Sequence, residues 1–325
     1  MSLPLHVHSE VAEALRSGRG VVVLETAVLT CGLPAVPWTA AFGPCPNAID
    51  ASLPVHLATM RAMIEAIRAA GAVHAVTAIL SGQPRIGLSE DELNTLAADR
   101  SAGKASTATM ATAIAAGHSA GATVSGTLGL CGAVAGIGLP QPRVFATGGI
   151  GGVHIGWPTR VDVSADLGEL ARQQVCVVSA GAKSILDAAV TAELLESLGV
   201  PTLGYQIDRM PRFQSPPTDE SPRIHRVDEL VDAAAIARAH WSLPDRGGLL
   251  LCQSPPEETA MRPADVDAAA REAEQTVRVD GPTRTPALLA AMAKLTDGAT
   301  LRANVDLLVA NARLAGNLAM VMGTQ

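Results

Sequence analysis

The chain predicts a three-layer α/β/α fold with a mostly parallel sheet and a helical C-terminal layer, and three observations carry that expectation. Short β-branched runs alternate with helical patterns along most of the length, as strand–helix–strand units do. Of the 325 residues 48% are hydrophobic but only 2% aromatic, so the core has to be built from Ala, Val, Leu and Ile, which suits helices packed closely on a parallel sheet. From Pro263 onward the pattern is helical only, with apolar positions recurring through 286–322, and reads as a layer of one domain spanning 1–325.

In chain order, strands are expected at 20–31, 72–80, 121–125, 143–147, 175–179, 200–205 and 248–252, with helices at 55–70 and at 184–198, the latter closed by Gly199. Ser89-Glu90-Asp91-Glu92 ahead of Leu93 has the spacing of a capping box. The segment 35–54, rich in Pro and Ala and carrying Trp38 and Phe42, reads as an insertion or a lid. The segment 211–222 is too rich in proline for a helix or a central strand. Plain surface loops are the alternative for both.

Composition also sets limits on partners. The net charge is −7 and runs of Lys or Arg are absent, so nucleic acid is not an expected partner. Apolar stretches are broken by Glu25, Lys183 or glycine before reaching the roughly 18 residues of a membrane span. No basic region followed by an apolar one opens the chain, so a cytoplasmic location is expected. The cysteines Cys31, Cys45, Cys131, Cys176 and Cys252 form no CxxC pair and read as buried thiols rather than disulfides or zinc ligands.

Chemistry is announced first by the lysines. Lys and Arg together number 24, yet only Lys104, Lys183 and Lys294 are lysines. An amine can lose its proton and attack a carbonyl, which a guanidinium cannot. Lys183 follows the apolar strand 175–179 and a small-residue turn, at an expected helix start where the macrodipole favours the neutral amine. A lysine reaching solvent from a loop, or holding a phosphate, fits the same position. Glu25 lies within the apolar run 21–29, where a carboxylate is costly unless paired or protonated, and a protonated one can serve as a general acid. The run Thr147-Gly148-Gly149-Ile150-Gly151-Gly152-Val153-His154 departs from GxGxxG, because the last glycine falls on His154. It reads as backbone able to approach a small anion. Asp162-Val163-Ser164-Ala165-Asp166-Leu167 looks by itself like a helix start with Ser164 as N-cap.

Taken together, Leu24-Glu25-Thr26, Ala78-Ile79-Leu80-Ser81-Gly82, the segments 145–154, 162–167 and 179–187, Gly204-Tyr205 and the stretch from Asn304 to Asn311 resemble the pseudouridine-5'-phosphate glycosidase, or indigoidine synthase A-like, family along nearly the whole chain. The resemblance implies an α/β/α fold, a homotrimer, a divalent metal that is Mn²⁺ or Mg²⁺, and reversible chemistry on the C–C bond between ribose 5-phosphate and a ring carbon. By position it makes Lys183 the Schiff-base nucleophile, Glu25 the proton donor and Asp162 the metal carboxylate. Lys104, Val124, Ser164, Ala165, Asp166 and Asn304 become substrate contacts.

The departures from the family are local. Thr30-Cys31-Gly32-Leu33-Pro34 stands where the family has His-Gly-Met-Pro, residues 105–110 replace an arginine-rich stretch, and His154-Ile155-Gly156-Trp157 replaces His-Arg-Gly. These changes retain the sugar-phosphate machinery and make the acceptor side more apolar. The leading expectation is therefore a C-glycosynthase of natural-product biosynthesis that joins ribose 5-phosphate to a small aromatic or heterocyclic acceptor. A catabolic pseudouridine-5'-phosphate glycosidase is the alternative, and a non-catalytic sugar-phosphate-binding protein is the alternative of another class.

Overall fold

The structure, a computed structural model, describes residues 5–158, 161–279 and 281–323. Its sheet contains β1 (His6–Val7), β2 (Val21–Leu24), β3 (Val73–Leu80), β4 (Gln83–Ile86), β5 (Gly103–Ala105), β6 (Ala120–Ala122), β7 (Val144–Ala146), β8 (Cys176–Ser179), β9 (Thr202–Tyr205), β10 (His225–Val227) and β11 (Leu249–Cys252). The spatial order is β1-β4-β3-β2-β7-β8-β11-β9-β10, with β6 paired to β3 and β5 to β6. Among these pairings only β3 with β4 and β3 with β6 are antiparallel.

The central strands read as unbroken apolar runs because both of their faces are buried. Val22 and Leu24 of β2, Cys176 and Val178 of β8, and Leu249 and Leu251 of β11 point into one core. Val21 and Val23, Val177, and Leu250 and Cys252 point into the other. This is the period-two alternation of a strand, with a hydrophobic layer on each side.

The first of these cores is closed by α2 (Val55–Ala69), α8 (Leu230–Ser242) and α11 (Ala299–Gly323). The second is closed by α1 (Ser9–Arg16), α5 (Val124–Ala133), α6 (Ala165–Leu170), α9 (Pro263–Thr276) and α10 (Arg284–Leu295). By length and composition α11 could cross a membrane, but it packs on α2, α8, β2, β7 and β8, and its long row of buried residues is that of a core helix. Core volume comes from aliphatic side chains, with Phe145 and Phe213 the large buried exceptions.

Three element boundaries differ from the expectations, each for a local reason. The strand expected over 20–31 ends at Leu24, and Val28–Gly32 form a π-helical turn. Thr26 bends the chain there by donating from its hydroxyl to Thr77 O and accepting from the amides of Ala122, Leu29 and Thr30. The strand expected over 121–125 stops at Ala122, because the Thr123 hydroxyl caps Gly126 N and opens α5. The helix expected over 184–198 is α7 (Ala188–Ser197), capped by Asp187 through Val190 N. Lys183 therefore lies ahead of the helix in a turn whose amides bond to the glycine segment, Lys183 N to Ile150 O and Asp187 N to Val153 O. The argument from the helix dipole does not hold for it.

Neither loop hangs free. Trp38 and Phe42 meet edge to face at 5.6 Å and pack on the core, and the Trp38 indole donates to Gly43 O. This segment is seated on the turn before α11, where a Cβ at Gly298 would lie 2.3 Å from Phe42 O. In the proline-rich segment Phe213, Gln214 and Ser215 are buried, and Phe213 N donates to Ala180 O beside Lys183.

The capping box forms as expected at the start of α3 (Glu90–Ala98), with Ser89 Oγ accepting from Glu92 N and the Glu92 carboxylate accepting from Ser89 N. Ser89→Ala should lower the unfolding free energy by about 1 kcal/mol. Denaturant unfolding checks it, with the m-value unchanged.

Candidate active site

Parallel strands leave their carboxyl ends at one edge of the sheet, where α/β proteins bind ligands. Leu24 of β2 is in register with Ala146 of β7, which is in register with Val178 of β8. The residues that follow are Glu25, Thr147 and Ser179, so the buried carboxyl, the glycine segment and the turn carrying Lys183 emerge side by side. They open into a cavity of about 270 Å³. All nine residues singled out from the sequence line it: Glu25, Lys104, Val124, Asp162, Ser164, Ala165, Asp166, Lys183 and Asn304.

Glu25 is 5% exposed and accepts a 2.6 Å hydrogen bond on Oε1 from the Thr147 hydroxyl. Burial raises its pKa above the ordinary carboxylate value, against the lowering pull of Lys183, the Thr147 bond and Lys104, while Asp166 adds to the rise. A carboxyl in this setting favours its protonated form more than an exposed one does, and a proton on it could be delivered into the cavity. Lys104, in the middle of β5, is pushed down by burial, partly offset by Cys31, Asp166 and Glu25. This lysine, a substrate contact by the resemblance, is thus held below the usual amine value.

Asp166 lines the cavity at the first turn of α6 and is braced by backbone amides. It is 6% exposed, and Oδ1 accepts from Ser125 N at 2.9 Å and Oδ2 from Gly151 N at 2.8 Å. Ser164 is the N-cap of α6, accepting from Asp166 N, as its place in the sequence predicted. Val124 is buried at the first turn of α5. Asn304, on α11, is 8% exposed and its side chain forms no hydrogen bond among the described residues.

The glycine segment is less of an anion cradle than its composition implied. Of its amides, Thr147, Ile150, Gly151, Val153 and His154 donate to Val178 O, Gly181 O, Asp166, the Thr191 hydroxyl and Asp162 O. The glycines chiefly admit close neighbours: a Cβ at Gly149 would lie 2.6 Å from Phe213, and one at Gly152 would lie 2.4 Å from the Thr191 hydroxyl. From the far side Asn311 of α11 donates to Thr147 O and Gly148 O, with its own oxygen held by Gln253.

Among the described residues no group of three or more His, Cys, Asp or Glu could hold a metal, so a zinc site of three or four protein ligands has no counterpart there. Asp162 stands partly exposed on the cavity wall. A single carboxylate suits a hard cation that keeps most of its water, so the donor set fits Mg²⁺ or Mn²⁺.

Several cavity residues had not been assigned a role from the sequence. Thr147 was detectable as the polar residue that follows β7 opposite Glu25. Phe213 was hidden in the proline-rich loop. Arg284, buried at the start of α10 and paired with Glu274, carried no mark in the sequence. Of the departures from the family pattern, Cys31 and Ser106 reach the cavity, whereas no residue of 35–54 lines it. Cys131, Cys176 and Cys252 are buried as expected, with thiols pushed up to about 12, but Cys31 opens to the cavity.

Fold and site together define an α/β/α protein whose candidate active-site cavity opens at the carboxyl ends of its central strands. A family described as indigoidine synthase A like protein matches residues 48–321. A pseudouridine-5'-phosphate glycosidase of Myxococcus xanthus (strain DK1622) is 42% identical over 322 residues, 98% of each chain. One from Jannaschia sp. (strain CCS1) is 40% identical over the whole of both. Among solved structures, the prealnumycin C-glycosynthase AlnA in complex with ribulose 5-phosphate is similar with a TM-score of 0.82 and 33% identity, covering 98% of this chain and 97% of that one. An indigoidine synthase A-like protein of Thermotoga maritima gives 0.82 and 30%, covering 99% and 97%. This chain belongs to the indigoidine synthase A-like family. The names of its relatives favour the glycosidase over the C-glycosynthase that was the leading expectation.

The raised pKa of Glu25 has a consequence for stability. The folded protein binds this proton more tightly than the unfolded chain, so the contribution is full below the ordinary value of 4.5 and is lost as pH rises through the folded pKa. Glu25→Gln carries no such loss. Melting temperatures taken from pH 4.5 upward should move steadily in favour of the variant, although it is inactive.

Proposed function

We propose that the protein is a pseudouridine-5'-phosphate glycosidase, which cleaves the C–C bond of pseudouridine 5'-phosphate reversibly to uracil and ribose 5-phosphate through an imine on Lys183. The observation that carries the reading is the meeting of Lys183, Lys104 and a buried Glu25, whose pKa is raised, in one cavity at the carboxyl ends of β2, β7 and β8. The names of the relatives support it.

In the synthetic direction, the Lys183 amine adds to C1 of ring-opened ribose 5-phosphate and water leaves, giving an imine more electrophilic than the aldehyde. The ring carbon of uracil attacks C1 and loses its proton, and the sugar oxygen then displaces the lysine as the furanose closes. Cleavage is the reverse, with one water consumed. Glu25 supplies and recovers the proton at the ring oxygen, and the Thr147 bond to its Oε1 leaves Oε2 to carry that proton. Lys104 gives the phosphate a cationic partner. A hard cation on Asp162 would add positive charge and an ordered water shell at the cavity wall.

The second reading, a C-glycosynthase using ribose 5-phosphate and another cyclic acceptor, is favoured by the likeness to AlnA and by the apolar wall of Phe213, Leu289 and Leu308. On either reading the enzyme works in the cytoplasm, where phosphate esters are retained, and the homotrimer implied by the resemblance is retained as a proposal.

With pseudouridine 5'-phosphate the enzyme should release uracil, and uracil with ribose 5-phosphate should give the nucleotide back. Turnover of other cyclic acceptors with none of uracil would transfer the assignment to the second reading. Absence of any turnover and of any imine would leave a sugar-phosphate-binding protein. Borohydride with ribose 5-phosphate should fix a reduced adduct on the peptide holding Lys183, and Lys183→Arg should give none. Lys294, exposed on α10, should accept arginine without effect. For the metal, Asp162→Ala should abolish activation by Mn²⁺ with the melting temperature unchanged, and wild-type activity that is indifferent to chelators would remove the metal from the reading.

A further inference from the structure

We infer that Asn311, braced by Gln253, is a positioning residue of the site: its amide fixes the peptide from which the Thr147 hydroxyl reaches Glu25 and to which the turn carrying Lys183 is bonded.

One chain of hydrogen bonds carries the inference. Gln253, just past β11, donates from Nε2 to Asn311 Oδ1 at 2.8 Å, and its backbone N donates to Ser179 O at the end of β8. Asn311 Nδ2 donates to the carbonyls of Thr147, at 2.8 Å, and Gly148, at 3.2 Å. All three partners agree on the orientation of the amide, oxygen toward the donor and nitrogen toward the carbonyls. Thr147 N donates in turn to Val178 O, so this residue is held at both its N–H and its C=O. Its hydroxyl then donates to Glu25 Oε1 at 2.6 Å. Gly148 O also accepts from Ala180 N at 2.8 Å, which starts the turn to Lys183. The ends of β2, β7, β8 and β11, neighbours in that order, are thus tied together by one side chain of α11.

Burial separates this role from a chance contact. Asn311 is 1% exposed, on a helix whose other buried positions include Leu307, Leu308, Leu314 and Leu318. A helix that had only to cover the sheet would be served there by another leucine, without the desolvation of an amide. What asparagine adds is direction, a donor aimed at two strand-end carbonyls. Neither Asn311 nor Gln253 lines the cavity, so they act through Thr147 and the turn 180–183 and not on a ligand. Glu25 is faced by Lys183 after β8, Lys104 on β5, Cys31 on the π-helical turn, Asp166 on α6 and Thr147 after β7. Of these, Thr147 is held directly by Asn311, and its bond favours the charged form of Glu25. Loosening Thr147 therefore shifts Glu25 toward its neutral form.

The inference rests on the proposed function for its meaning, but its first readout needs no turnover. Asn311→Leu keeps the volume and removes both ends of the amide without adding charge. The titration midpoint of Glu25, followed at its carboxyl carbon by NMR and assigned with Glu25→Gln, should rise by about half a unit or more. In a Thr147→Val background the same substitution should move it by less than about half as much, because Asn311 acts through that hydroxyl. For cleavage of pseudouridine 5'-phosphate, kcat should fall about tenfold or more while KM stays within about threefold, the pattern of lost alignment and not of lost binding. A merely structural asparagine would lower the melting temperature and leave the midpoint in place, and that result overturns the inference. So does a shift of the same size with and without the Thr147 hydroxyl. Should Asn311→Leu fail to fold, Asn311→Ser, with a single donor for two carbonyls, is read by the same midpoint, and no rise overturns the inference. Wild-type protein that turns over neither uracil nor its nucleotide would overturn the proposed function and leave the Glu25 readout standing.

Discussion

The structure depends on burying one carboxyl group. Glu25 leaves the end of β2 at the centre of the sheet, where water is excluded and a charge is costly. The conflict is eased by Thr147, just past the neighbouring β7, as a donor and by a pKa raised toward the neutral form. The same burial that threatens the fold thus makes an acid, and the lysines around it keep that acid from becoming inert. A glutamate at the open end of a strand would have been cheaper to fold and less useful.

Rigidity in the cavity comes from the glycine segment being held on several sides. Asn311 holds its carbonyls from α11, Phe213 lies against Gly149, Thr191 fills the space beside Gly152, and Asp166 takes the Gly151 amide. Lys183 is hung on this same segment through its backbone, since Lys183 N donates to Ile150 O. The position of the amine relative to Glu25 is therefore set by tertiary hydrogen bonds and not by the helix that follows. An amine fixed in this way would meet a bound carbonyl without a conformational search.

Family membership and function rest on different grounds. The match across residues 48–321 and the likeness to two solved structures fix the fold and the family. The relatives and structural neighbours carry both glycosidase and C-glycosynthase names, so within this family the direction of reaction and the acceptor are not properties of the fold. At the cavity wall this chain departs from the family pattern at Cys31 and Ser106.

By itself the sequence determined the alternation of strands and helices, the burial of both sheet faces, the capping box at Ser89 and the rarity of lysine, because each is written in neighbouring residues and short periods. The candidate residues were legible for a similar reason: a charge within an apolar run, as at Glu25, stands out without any knowledge of its partners. The ends of the strands were not legible. Apolar runs continue past Leu24 and Ala122, and only the Thr26 and Thr123 hydroxyls, bonded to Thr77 O and Gly126 N, stop the strands there. The sequence could not place Lys183 outside α7, seat the 35–54 segment away from the cavity, or show that both oxygens of Asp166 are occupied by backbone. Those outcomes depend on groups distant in the chain, such as Gly151 with Asp166 or Asn311 with Thr147, and a hydrogen bond between distant residues leaves no periodicity to read.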